Sequence, residues 1–215
     1  MAVKATDWSV VVAGAWNTAI LTPDGVRRRI LQLPEEIALE IEVNIDQLAP
    51  ARIKHDGIII APNHSRLVIG PLVAEGAGIQ RSADLGKRAI RSLPETPFAA
   101  VGINLNYQIE PPPDNLVDVT DASIDDIISD AGYEIKARDI RRTLGIDVGV
   151  LNFSIARVDD DGRAEIKMNF EVISKDPDEL CAWLSRTEEF LGVANVLFGK
   201  LKLELWEGED DEAQD

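Results

Sequence analysis

Cysteine is nearly absent from this 215-residue chain: only Cys181 is present, so no disulfide forms within it and the fold must rest on its core. Histidine is almost as scarce, at two residues, His55 and His64, which leaves metal centres short of ligands and histidine chemistry short of bases. Long apolar runs are missing too. The uncharged stretch Ser9 to Thr22 is interrupted by Gly14 and Asn17 and falls short of the ~20 apolar residues of a spanning helix, so no membrane partner is expected. No basic segment leading into an apolar run and cleavage site follows Met1, and the lone thiol suits a reducing compartment, so a cytoplasmic chain is expected. Basic side chains are few, 22 against 38 acids, for a formal net charge of −16. Duplex DNA is bound through counterions released by Lys and Arg, and so acidic a surface repels it, so direct nucleic-acid binding is not expected.

What is present is apolar residues at 45%, ample for a core and incompatible with disorder along the whole length. They alternate with polar ones. Ile37, Leu39, Ile41, Val43 and Ile45 do so, as do Ala164, Ile166, Met168, Phe170 and Val172, and more softly Val101 to Ile109 and Leu151 to Ile155. Period two means one face buried and one wet, the pattern of an antiparallel sheet. Asp161-Gly162 predicts a hairpin between two such runs, and Pro62-Asn63 predicts another, joining a strand over 53–60 to one over 65–69. Strands are expected near 8–20, 36–46, 51–61, 65–71, 98–110, 133–144, 147–158 and 163–174.

Helices fall between these runs. Asp176-Pro177-Asp178-Glu179 is a start signal, with a capping acid and Pro at the first helical position, and Leu180, Trp183, Leu184, Leu191, Ala194 and Phe198 continue at helical spacing to about 198. Thr22-Pro23 opens a short helix carrying Val26 and Ile30, Thr120-Asp121 one carrying Ile124, Ile127 and Ile128, and a weaker helix covers about 77–92. Leu201, Leu203 and Leu205 before Trp206 read as a strand or a helical extension that would be sticky if exposed. The fold class is therefore α+β: one large antiparallel sheet of about eight strands with helices on one face. The order β-α-β-β-β-α occurs twice, over 1–95 and 96–206, followed by an acidic tail at 207–215 with six acids and no base. That tail reads as a solvated segment or a docking tail for a basic partner.

Doubled in this way, the element order resembles the saddle of the TATA-binding protein, in architecture only. The resemblance implies a continuous sheet shared by both halves with helices on its convex side. The DNA-binding role of that family does not follow, because the expected open face carries Glu40, Glu42, Glu165 and Glu171 where basic and aromatic groups would be needed. The stretch Trp16 to Pro23 is similar to one in a family of uncharacterised bacterial proteins, and no activity attaches to it.

Chemistry-bearing motifs are sparse. No phosphate loop, nucleophile elbow or Cys-x-x-Cys pair is present, and Asp159–Asp161 and Asp125-Asp126 lack metal-ligand spacing. No catalytic residue, cofactor or metal site is expected; Cys181 reads as a core thiol, and the histidines as separated edge residues. Arg27–Arg29 and Arg138, Arg141 and Arg142 read as local charge balance or an anion patch. The expected function is that of a non-enzymatic binding or assembly protein, partnered by another protein or by itself, using the open polar face, an edge strand or the acidic tail. The candidate binding residues are Glu40, Glu42, Asn104, Asn106, Glu165, Asn169 and Glu171, with Asn152 and Ser154 on the same side. The alternatives are a small-molecule enzyme or ligand carrier, whose sheet–helix pocket would use Asn17, Asn104, Asn106 and Tyr107, and an acidic nucleic-acid mimic.

Overall fold

Alternation along the chain becomes a single sheet in the computed structural model, which describes residues 2–43, 51–158 and 162–205. At its centre β1 (Ala2–Gly14) runs antiparallel to β6 (Phe98–Ile109), from Val3 opposite Ile109 to Gly14 opposite Phe98. Beyond β1 lie β5 (Arg66–Pro71), β4 (Ile58–Pro62), β3 (Arg52–His55) and the short edge strand β2 (Glu40–Glu42). Beyond β6 lie β9 (Arg163–Ile173), β8 (Gly149–Val158) and the other edge, β7 (Ala137–Ile146). These pairings are all antiparallel; β10 (Glu204–Leu205) lies parallel beside Ala2 and Val3.

One face of this sheet is covered. The inward row of β6 is Val101, Ile103, Leu105, Tyr107 and Ile109, that of β9 is Ile166, Met168, Phe170 and Val172, and all are buried. They meet α2 (Gly76–Ser92), α5 (Pro177–Leu184) and α6 (Thr187–Lys200), whose Ile79, Ala83, Ile90, Trp183, Leu184, Phe190 and Phe198 are buried in turn. Phe190 stacks on Phe170 at 4.6 Å between centroids, and the Trp183 indole N–H donates to the Phe170 carbonyl at 3.2 Å. Local chemistry starts the helices as the spacing predicts. The Asp176 carboxylate accepts from Asp178 N at 2.8 Å before α5, and the Thr22 hydroxyl accepts from Gly25 N at 3.2 Å before α1 (Pro23–Val26). The latter passes into a single π turn over Arg27–Leu31 that buries Ile30 and Leu31.

Boundaries differ from expectation in six places, one of them β7, which runs Ala137–Ile146 in place of the strand expected over 133–144, because Tyr133 to Lys136 are irregular. The first strand begins at Ala2 and ends at Gly14; Trp16, counted into a strand over 8–20, instead buries itself from the loop that follows, as does Leu21 beyond it. The strand expected over 51–61 is two strands, because Asp56 and Gly57 take left-handed φ of 45° and 73° and turn the chain. Of the run 36–46, only Glu40–Glu42 is strand among the described residues; Asn44, Ile45 and Asp46 lie outside them. Thr120 does not open a helix but ends α3 (Asp114–Thr120); α4 (Ser123–Asp130) follows and buries none of its residues, leaving Ile124 and Ile127 exposed. The long C-terminal helix is two, broken at Ser185 and Arg186.

Leu203 is buried and Glu204–Leu205 is strand, so this segment joins the core instead of forming a sticky edge; Trp206, the tail 207–215 and Asp159–Asp161 lie outside the described residues. Strand order sets the first half of the chain on one side of the β1–β6 seam and the second on the other.

A tight contact at the β7–β8 hairpin offers a test. A Cβ on Gly149 would lie 2.4 Å from both the Glu171 carbonyl and the Trp183 ring, whereas one on Gly145 meets nothing within 4 Å. Gly149→Ala is expected to destabilise the protein by about 1–3 kcal/mol in urea unfolding, and Gly145→Ala to stay within about 0.5 kcal/mol.

Candidate functional site on the open sheet face

The uncovered face carries a polar row that the register assembles. Ser9 of β1 stands opposite Asn104 of β6, Asn104 opposite Asn169 of β9, Asn169 opposite Asn152 of β8, and Asn152 opposite Thr143 of β7. Their side chains hydrogen-bond in one direction across these five strands. The Thr143 hydroxyl donates to Asn152 Oδ1 at 2.9 Å, Asn152 Nδ2 to Asn169 Oδ1 at 3.1 Å, Asn169 Nδ2 to Asn104 Oδ1 at 2.7 Å, and Asn104 Nδ2 to Ser9 Oγ at 3.2 Å. At strand spacing the row is roughly 19 Å long. Asparagine suits each inner rung because its amide both accepts and donates. Asn152 Nδ2 also reaches the Glu171 carboxylate at 3.4 Å. Gly102 leaves room for this: a Cβ there would lie 3.0 Å from Asn169 Nδ2.

The candidate residues separate on this frame. Asn104, Asn169 and Glu171 come together with Asn152. Asn106 and Glu165 lie further along the same strands, Asn106 half-buried and Glu165 bridged to Lys167 at 2.7 Å. Glu40 and Glu42 are elsewhere, on edge strand β2, both bridged to Lys54 at 3.2 and 3.0 Å. The hydrogen bond from Lys54 holds the Glu42 carboxyl below its ordinary range. Ser9 and Thr143 escaped the sequence reading, because their membership depends on which strands are neighbours.

The four residues named for a sheet–helix pocket are not brought together. Asn17 is exposed and turned on its own loop, accepting from Ala19 N, and Tyr107 is buried on the helix side, where burial pushes its phenol up. Asn104 and Asn106 project from the opposite face. The arginines form no common patch. Arg27 and Arg28 bind Asp24 beside α1, while Arg138 and Arg141 lie on edge strand β7, bound to Asp125 at 2.6 Å and to Asp139 at 2.7 Å. Asp125 is thus an ion-pair partner, held below its ordinary range by the Arg138 hydrogen bond, and not merely a solvated acid. With Arg157 donating to Asp121 at 2.7 Å, these pairs tie the α3–α4 region to β7 and β8. Cys181 is buried, which pushes its thiol up and away from reactivity. His55 ends β3 and His64 lies in the turn beyond β4, so the two face opposite ends of a strand. Among the described residues no three metal-ligating side chains cluster closely enough to hold an ion. The chain matches no known family, and no curated protein matches its sequence.

Asn169 is the rung that both accepts and donates at the centre of the row. Asn169→Ala is expected to cost about 1–2 kcal/mol in urea unfolding, because it leaves two neighbours part-satisfied. Ser9→Ala removes a terminal acceptor and should cost clearly less; equal costs would mean the rungs are independent.

Proposed function

We propose that the chain is a non-enzymatic binding and assembly protein that takes another protein on its open sheet face. The observation that carries this reading is the row from Thr143 to Ser9, in which each side chain is already held by its neighbours. Docking onto groups held in advance forfeits little rotamer entropy. Between the rungs, Val11, Val150 and Ala156 stay half-buried, so the face mixes polar and apolar surface as protein interfaces do. Nine neighbouring strands span roughly 38 Å, enough for the ~800 Å² each partner contributes to a standard interface.

A second reading, self-association, is favoured by β7. This edge strand is ten residues long and, among the described residues, pairs on one side only, leaving a row of backbone groups for another strand, whereas β2 offers three residues.

Ser154 and Ala156 are half-buried on the open face of β8 and neither makes a side-chain hydrogen bond among the described residues. Ser154→Arg with Ala156→Arg should leave stability within about 1 kcal/mol and abolish capture of a native partner from host lysate. Undiminished capture contradicts the open-face reading. If deletion of residues 207–215 then removes the partner, the tail is the site; if instead sedimentation finds concentration-dependent dimers that Arg141→Pro dissolves, the edge is.

A further inference from the structure

The open face has a second feature, on the other side of Ser9 from the polar row. A concavity of about 310 Å³ lies over β4 and β5. Its floor is small and apolar, with Ile59 opposite Gly70 and Ala61 opposite Val68. Gly70, in its lining, lets β5 approach β1 closely, since a Cβ there would lie 2.6 Å from the Trp8 carbonyl. At one end stand two guanidiniums, from Arg52 at the start of β3 and Arg66 at the start of β5; at the other stand Ser9 and Asp7 of β1.

This end is basic in an acidic chain. Acids outnumber bases 38 to 22 in the chain, and nearby Lys54 is bridged to both Glu40 and Glu42. Arg27, Arg28, Arg81 and Arg186 each have a carboxylate too. Arg52 and Arg66 make no salt bridge and no side-chain hydrogen bond among the described residues, although both line one hollow. Glu42 stands opposite Arg52 in register and feels its charge, but it gives its bridge to Lys54, so the Arg52 N–H donors stay open. Ser9 accepts from Asn104, which leaves its hydroxyl proton for an acceptor in the hollow.

We propose that this hollow binds a small organic monoanion: a carboxylate held by Arg52 and Arg66, with an apolar body lying along Ile59, Ala61 and Val68. Arginine pairs with carboxylates through parallel N–H donors, which supplies the head-group recognition. Asp7 at the far end opposes a second negative charge and so selects against dicarboxylates. The proposal does not rest on the protein-binding reading, because the two features share only Ser9.

The test is an NMR titration of the full chain with sodium hexanoate, with acetate and hexylammonium as comparisons. Hexanoate is expected to shift the amides of Val68, Gly70 and Ser9. It should bind at least about tenfold tighter than acetate, since a fully buried methylene is worth roughly fourfold and this floor is partly open. Hexylammonium should not compete. Arg52→Gln and Arg66→Gln should each weaken hexanoate by about tenfold or more, while Arg28→Gln, outside the hollow, changes nothing; all three guanidiniums are on exposed residues, so folding is not at stake. Absence of shifts at about 10 mM hexanoate, shifts centred elsewhere, equal affinity for acetate, or indifference to both arginine changes would each overturn the proposal.

Discussion

Ten residue pairs join β1 to β6, and through them both halves of the chain share one sheet instead of folding apart. The same seam makes both faces. Val10 opposite Ile103 and Val12 opposite Val101 form buried rows under the helices, while Ser9 opposite Asn104 starts the polar row on the other side. A slip by one residue would exchange the two sets, exposing the valines and burying the amides. The register is therefore held by burial itself. The bulge between Ala5 and Trp8 is part of this: Val3 and Trp8 lie an odd number of residues apart, which an unbroken strand would send to opposite faces. The extra residue lets both be buried, with Trp8 edge-on to Tyr107 at 5.6 Å.

Charge is distributed around this frame in local pairs. Arg186 lies 5.1 Å from the Trp183 ring centroid and bridges Asp147 and Glu189, covering the end of the core. Hydrogen bonds donated to Glu189 raise the arginine's pKa, and Arg186 in turn holds Glu189 below its usual range. Exposed pairs of this kind contribute little stability singly, so the fold depends on buried rows, and the acidic excess acts on solubility and on what may approach. Arg52 and Arg66 line one hollow and make no salt bridge among the described residues.

The sheet was legible in the sequence because period two survives in long strands such as Phe98–Ile109, Gly149–Val158 and Arg163–Ile173. Capping chemistry at Thr22 and Asp176 placed two helix starts for the same local reason. What was not legible depended on contacts between distant segments. Asp56-Gly57 carries the same turn signal as Asp161-Gly162 but sits in an isoleucine-rich run that reads as one strand. The apolar spacing of Ile124, Ile127 and Ile128 suggests a buried helix, yet α4 is held by the Asp125–Arg138 pair and leaves isoleucines in water. Of the polar row, the asparagines were visible as one wet face. Ser9, Thr143 and the direction of hydrogen bonding required the strand order, which alternation does not encode.

Native-state amide exchange measured by NMR tests the shared seam most directly. If β1 and β6 join the halves into one cooperative unit, the amides of Val10, Val12, Ile103 and Leu105 exchange last, together, and only through global unfolding. Exchange of β1, β3, β4 and β5 through an earlier opening, while β6, β8 and β9 remain protected, would contradict a single sheet held at that seam.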